Sequence, residues 1–363
     1  MKSKIVSLLL FSLLCQRVKS LSPEEDLEIE EELKRLNKPA NQDNSDGVWR
    51  HYDCVDFYKQ PAFDHPLLKN HSFHFGRSWD QERLSARGIN SATIKRLDCP
   101  TGTVPIRKTS KELIAAKMQA KVHAQHSGPN TVDVHGLHLA IVRTEFGPLK
   151  KYNGGGMFSS VEVPKASGTQ YSAGQMKIEN IPDFIQAGWM MGNSSCFNVQ
   201  CPGFILMRSD HPVDAIFKAH SHRGGPVYTY NYFIYLDPTS GLWWLQLGED
   251  SIVVGFRPKK IFSGPGFQDL ATYLEWGGQT YSPPEVKSPP MGRGDFLTSD
   301  VKLTASCQDI TTITEAHERV PPADTQAYSD REKYHWALDR GYLKGPLKHV
   351  MLFGGPGGAT GWA

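Results

Sequence analysis

Tyr228-Thr229-Tyr230-Asn231-Tyr232-Phe233-Ile234-Tyr235-Leu236 runs into Asp237-Pro238-Thr239-Ser240-Gly241, then Leu242-Trp243-Trp244-Leu245-Gln246-Leu247, Gly248-Glu249-Asp250 and Ser251-Ile252-Val253-Val254-Gly255-Phe256-Arg257. Three runs of strand length are separated by two turn-forming clusters. Tyr228, Tyr230, Tyr232 and Ile234 alternate with Thr229, Asn231 and Phe233, a period of two with one aromatic face. Working outward, His138 to Arg143, Met157 to Val163 and Phe204 to Arg208 are further β-rich runs between turns. Strands at this spacing predict a mainly β fold, an antiparallel β-sandwich or barrel.

Composition agrees. The chain has 363 residues, which at roughly 100–200 residues per domain allows two domains or one with an appendage. The 33 glycines and 24 prolines make it rich in turns, and eight tryptophans supply bulk suited to a pleated surface. Lys and Arg nearly balance Asp and Glu, leaving a net charge of +2. No basic stripe points to nucleic acid.

The first twenty residues differ from the rest. Lys2 and Lys4 precede a short apolar run from Ile5 to Cys15, and Val18 and Ser20 offer small residues before a cleavage point. This is the pattern of a signal peptide over 1–20, which places the mature chain outside the cell, in a cell wall or in a vacuolar lumen. No later stretch is apolar enough for a membrane span. Five cysteines follow it, an odd number for an oxidising compartment: Cys54, Cys99, Cys196, Cys201 and Cys307. Asn70-His71-Ser72 and Asn193-Ser194-Ser195 are glycosylation sequons.

Leu21 to Asn37 reads as a helix, with Ser22 as cap, Pro23 in the first turn, early acidic residues, and Ile29, Leu33 and Leu36 on one face. A second helix is expected over Lys111 to Ala124. Gln125 to Asn130 then reads as a polar boundary open to a processing protease. Residues 21–128 form a mixed helical and extended pro-like segment, and 129–363 form the β domain. Glu315 to Lys348 is polar, with a helix expected near Asp330 to Arg340.

Asp53-Cys54-Val55-Asp56-Phe57-Tyr58-Lys59-Gln60-Pro61-Ala62-Phe63-Asp64-His65-Pro66 resembles the activation-peptide region of the plant neprosin family, as do Leu36-Asn37-Lys38-Pro39 and Cys99-Pro100-Thr101-Gly102-Thr103-Val104-Pro105-Ile106-Arg107. The likeness continues through Ala187-Gly188-Trp189, Cys201-Pro202-Gly203-Phe204, Gly255-Phe256-Arg257-Pro258, Trp276-Gly277-Gly278 and Phe353-Gly354-Gly355-Pro356-Gly357. The resemblance implies a secreted glutamic endopeptidase scaffold that cuts after proline. It implies a β-sandwich, no cofactor, and a pro-segment removed on activation in acid. Two glutamates face each other across a groove in that family. One ionised carboxylate takes a proton from water while the other donates one, and their closeness splits their pKa values.

Set against the family pattern, this chain has Ile185-Gln186-Ala187-Gly188-Trp189 and Trp276-Gly277-Gly278-Gln279, with glutamine at both glutamate positions. An amide has no titratable proton near neutral pH. Losing one acid–base partner costs a factor of about 10²–10⁴, and here both are gone. The expected function is therefore a catalytically impaired neprosin-family protein that binds proline-rich extracellular chains. The alternative is an active post-proline endopeptidase using other carboxylates. The family also carries a longer segment between its Gly-Trp and the next cysteine. By the resemblance Cys54 pairs with Cys99 and Cys196 with Cys201, unlinked thiols or a metal site being the other readings of the second pair. The residues after Gly357 hold no cysteine, so Cys307 becomes the odd thiol.

Other constellations are weaker. His220-Ser221-His222 and His135-Gly136-Leu137-His138 lack partners at telling spacing and read as surface or core histidines rather than metal ligands. Glu145, Glu162, Glu179, Glu249 and Glu275 are carboxylates of the β domain, and Glu275 lies closest in sequence to Gln279. No Gly-x-Ser-x-Gly elbow occurs. Gly154-Gly155-Gly156 and Gly224-Gly225-Pro226 read as turns. Trp189, Trp276 and Tyr230 are candidates to line a proline-binding groove, although aromatics of this kind, Trp243 and Trp244 among them, usually fill a core.

Overall fold

A computed structural model describes residues 23–40, 42–43, 51–69, 90–111, 114, 136–145, 147, 150–192, 199, 202–262, 266–283, 285–296 and 298–359. The signal-peptide reading, both sequons, Cys196 and Cys201, and the boundary at Gln125 to Asn130 fall outside them, as does the second helix apart from Lys111 and Ile114.

Helix α1 (Pro23–Leu36) forms where the cap and periodicity place it. Its apolar stripe of Ile29, Leu33 and Leu36 packs on Ile114. Strands β1 (Gln42–Asp43), β2 (Tyr52–Asp56), β3 (Asn90–Ser91) and β4 (Thr103–Arg107) complete the N-terminal part. The strands β1, β2 and β4 make a small antiparallel sheet, and Cys54 and Cys99 are joined in a disulfide.

The β domain runs through β5 (Leu137–Thr144), β6 (Gly154–Ser160), β7 (Tyr171–Asn180), β8 (Asp183–Gly192), β9 (Ile205–Leu206), β10 (Tyr228–Asp237), β11 (Leu242–Leu247), β12 (Ile252–Pro258) and β13 (Tyr273–Tyr281). It closes with β14 (Ala305–Ile313), β15 (Arg319–Val320), β16 (Thr325–Ser329), β17 (Trp336–Leu343) and β18 (Lys348–Gly354). A five-stranded sheet has the order β16-β5-β13-β7-β8. A larger sheet has the order β17-β18-β14-β6-β10-β11-β12-β9, with β15 against β14 and β3 against β10. The main core lies between them, with Val142, Met176, Leu274 and Trp276 from one sheet and Met157, Tyr232, Ile234 and Phe353 from the other. This is the expected mainly antiparallel β-sandwich.

The opening stretch behaves as its pattern demands. β10 and β11 form a hairpin whose turn is tied by the Asp237 carboxylate, which accepts from the backbone N–H groups of Thr239 and Ser240. Such Asx bonding is why Asp opens turns. Yet β10 is buried on both faces. Tyr230, Tyr232 and Ile234 point into the main core, while Phe233 and Tyr235 join a second apolar cluster on the outer face. Ala62, Phe63 and Leu68 of the pro-like segment cover that face.

Two expectations are corrected. The helix at Asp330 to Arg340 is absent, and residues 336–343 form β17 paired with β18. Exposure alternates along β17 residue by residue, so tertiary pairing on a half-buried sheet overrides local helical composition. Gly154-Gly155-Gly156 is not a turn but the start of β6, between β10 and β14. A Cβ on Gly155 would sit 2.6 Å from the Thr311 carbonyl oxygen, so close backbone approach explains the glycine there.

Candidate functional site

The outer face of the five-stranded sheet carries the two glutamines. In β13, Leu274 and Trp276 turn into the core, so Glu275, Gly277 and Gln279 face outward. Register places Glu275, Lys177 and Gln186 in one row across β13, β7 and β8, with Gly277, Gln175 and Gly188 in the next. Gln279 stands one row further on, opposite Ala173. The intervening Gly277 and Gly188 present no side chain. A Cβ would lie 2.4 Å from the Ala140 carbonyl at Gly277 and 2.1 Å from the Gly174 carbonyl at Gly188.

Gln175 stands between these glycines with its amide turned to Glu275, and on this face the two glutamine amides meet. Gln186 Nε2 donates to Gln279 Oε1 at 3.3 Å, and Gln279 Nε2 donates to the Tyr171 hydroxyl at 2.7 Å. Tyr171 stacks on Tyr281 with ring centroids 5.7 Å apart. Burial pushes the Tyr171 phenol up, so it stays neutral, although the hydrogen bond from Gln279 opposes this. Gln186 and Gln279 are thus brought together, 93 positions apart in sequence.

Beside the pair lies a polar network that the sequence left unread. Glu275, only 3% exposed, accepts from Gln175 Nε2 at 2.9 Å and from the Tyr273 hydroxyl at 2.6 Å. Lys177 Nζ lies 3.5 Å from Glu275 and 3.0 Å from Glu179. Burial alone would lower the Lys177 pKa, but these two carboxylates outweigh it and hold the ammonium charged. The signal that would have found this network is the outward set Tyr171, Gln175, Lys177 and Glu179, at even spacing along β7. The remaining glutamates are engaged elsewhere or exposed. Glu162 pairs with Arg293 at 3.1 Å, Glu145 with Lys150 at the surface, and Glu249 is exposed. Among the described residues, no two carboxylates meet as Gln186 and Gln279 do.

Trp189, Trp276 and Tyr230 do not line this face. Trp276 is 0% exposed, and its indole donates to the Gly156 carbonyl at 3.2 Å. Trp189 donates to the Ser160 carbonyl at 2.7 Å, and Tyr230 meets His211 Nε2 at 3.0 Å. The correction has a simple cause: their strands alternate, and these positions fall on the core side. The two indoles instead pin β8 and β13 to β6, which fixes the strands that carry the glutamines. Cys307 is free and buried, and burial pushes its thiol up. His220 and His222 pack edge to face, and His138 binds Asp330 at 2.8 Å. Among the described residues no three metal-ligating side chains gather.

Behind Gln279, Thr280 and Ser288 face His335 Nε2 at 3.5 and 3.0 Å. Burial lowers the His335 pKa from 6.5 to about 4; His138 pushes the same way and Asp330 opposes. As pH falls, the unfolded chain takes up this proton first. The contribution to stability is whole above pH 6.5 and is lost towards about pH 4. At 1.36 kcal/mol per unit it amounts to roughly 3 kcal/mol. Chemical denaturation at pH 7 and pH 4 should show His335→Gln losing less stability on acidification than the parent by about that amount. Equal losses in both proteins would remove His335 from the account.

Residues 191–356 match the model described as Neprosin, and residues 45–143 match the Neprosin activation peptide. The first match contains Gln279; the stretch 144–190, with Gln186, lies in neither. The class so defined is a peptidase-like β-sandwich protein with an activation-peptide region ahead of it. The chain belongs to the neprosin family. Among the described residues, no helix is long and apolar enough to cross a membrane.

Proposed function

We propose that this is a secreted neprosin-family protein that has lost peptidase turnover and holds proline-rich chains without cutting them. The observation that carries the reading is the amide-to-amide hydrogen bond from Gln186 to Gln279. At the two positions the family resemblance gives to glutamates, neither group can take a proton from water or give one to a leaving amine. Glu275 does not replace them. Its oxygens are taken up by Gln175, Tyr273 and Lys177. The stacked Tyr171 and Tyr281 offer aromatic surface next to the amides, and a stiff proline-rich chain loses little entropy on binding.

The test is direct. Protein held at acid pH is incubated with a proline-rich peptide and the products are read by mass spectrometry, with binding followed by calorimetry. Intact peptide and measurable binding are expected. Cleavage after proline would overturn the silent reading and turn attention to Glu275.

A further inference from the structure

We propose that a cavity at the seam of the two sheets, remote in sequence from the glutamine pair, is a binding site for a neutral saccharide. The cavity lies where β16 and β17, each the edge strand of its own sheet, approach one another. Its volume is about 340 Å³, within the range of small-molecule sites. Trp336, Tyr328 and Leu338 supply the apolar surface, and Ser299, Ser329 and Glu332 the polar groups.

The lining chemistry selects the ligand. Trp336 is 49% exposed although tryptophan is costly to leave in water, and its indole N–H has no partner among the described residues. Glu332 makes no ion pair or hydrogen bond there either. The lining therefore offers an aromatic ring with a free donor, and a free carboxyl acceptor. No lysine or arginine lines the cavity, which disfavours an anion. A proline-rich chain satisfies the aromatic face and the donor, but it has no N–H at proline to give Glu332. A pyranose ring satisfies all three, with an apolar C–H face for the indole and hydroxyls that both donate and accept.

The walls are set in advance. Arg143 stacks on Tyr328 at 4.3 Å, the Arg340 guanidinium donates to the Ser299 carbonyl, and the Ser329 hydroxyl donates to the His335 carbonyl. Fixed side chains lose less entropy when a ligand docks.

The full-length chain is titrated calorimetrically with cellotetraose, xylotetraose and mannotetraose, and with decaproline as the competing class. At least one tetrasaccharide should bind with Kd of about 1 mM or tighter. Trp336→Ala should weaken it at least tenfold and Glu332→Gln several-fold. Tyr342→Ala, an exposed aromatic outside the cavity, should leave it unchanged. Matching thermal melts establish that each variant is folded. The proposal is overturned if none of the three sugars binds, if binding ignores Trp336→Ala, or if decaproline alone binds through Trp336.

Discussion

Replacing both glutamines, Gln186→Glu with Gln279→Glu, should confer acid-dependent cleavage after proline at least about 10²-fold above either single replacement. The geometry assigns the roles. The two amides are in hydrogen-bond contact, so two carboxylates in their place could not both ionise easily, and one proton would be shared unequally. The Tyr171 hydroxyl, which now accepts from Gln279, would turn to donate to Glu at that position and favour its ionised form. Position 279 then becomes the base and position 186 the acid. Each single variant keeps one amide and lacks half of the pair, so the effects should be strongly non-additive. The readout is peptide cleavage across pH for both singles and the double. Adding Tyr171→Phe to the double variant should move its acid limb to higher pH. A folded double variant with no turnover would mean that the face lacks the means to hold substrate.

The fold was more legible than the site, and for a physical reason. β10 to β12 announced themselves because alternating apolar residues and tight Asp, Pro and Gly turns sit side by side in sequence. β7 and β13 did not. Gly174, Gly277 and Gly278 interrupt their apolar alternation, and buried polar residues such as Gln175 and Glu275 look like loop residues until a neighbouring strand satisfies them. The glutamine pair was found through family motifs rather than periodicity. The Glu275, Lys177 and Gln175 cluster joins groups about a hundred positions apart, which no local window displays. For the aromatic positions, residue type says that a tryptophan is buried or useful, while only strand parity says which.

The second large effect concerns the segment that the family resemblance marks for removal. A chain of residues 129–363 alone should fail to melt cooperatively, whereas the full chain cut within residues 112–135 should elute as one particle at pH 7. Val55, Ile94, Val104 and Ile106 are built into the main core, and Phe63 and Leu68 cover the outer face of β10 and β11. At about 1.5–3 kcal/mol for each such side chain, withdrawing them forfeits up to roughly 10–20 kcal/mol, comparable with the whole stability of a domain. Main-chain bonds cross the same boundary: Ala92 N–H to the Thr229 carbonyl, Lys218 N–H to the Thr93 carbonyl and Leu97 N–H to the Asp210 carbonyl. The Gln60 amide spans both the N–H and the carbonyl of Leu206, as a neighbouring strand would. Acid weakens this union at His65, whose pKa is lowered by burial and by Arg257, so that docking favours the neutral ring and is strongest above pH 6.5. Size-exclusion chromatography of the nicked protein at pH 7 and pH 4, with calorimetry of 129–363, decides the matter. A cooperative melt of the isolated β domain at the parent temperature would show that the segment is a removable cover and not an integral part of the core.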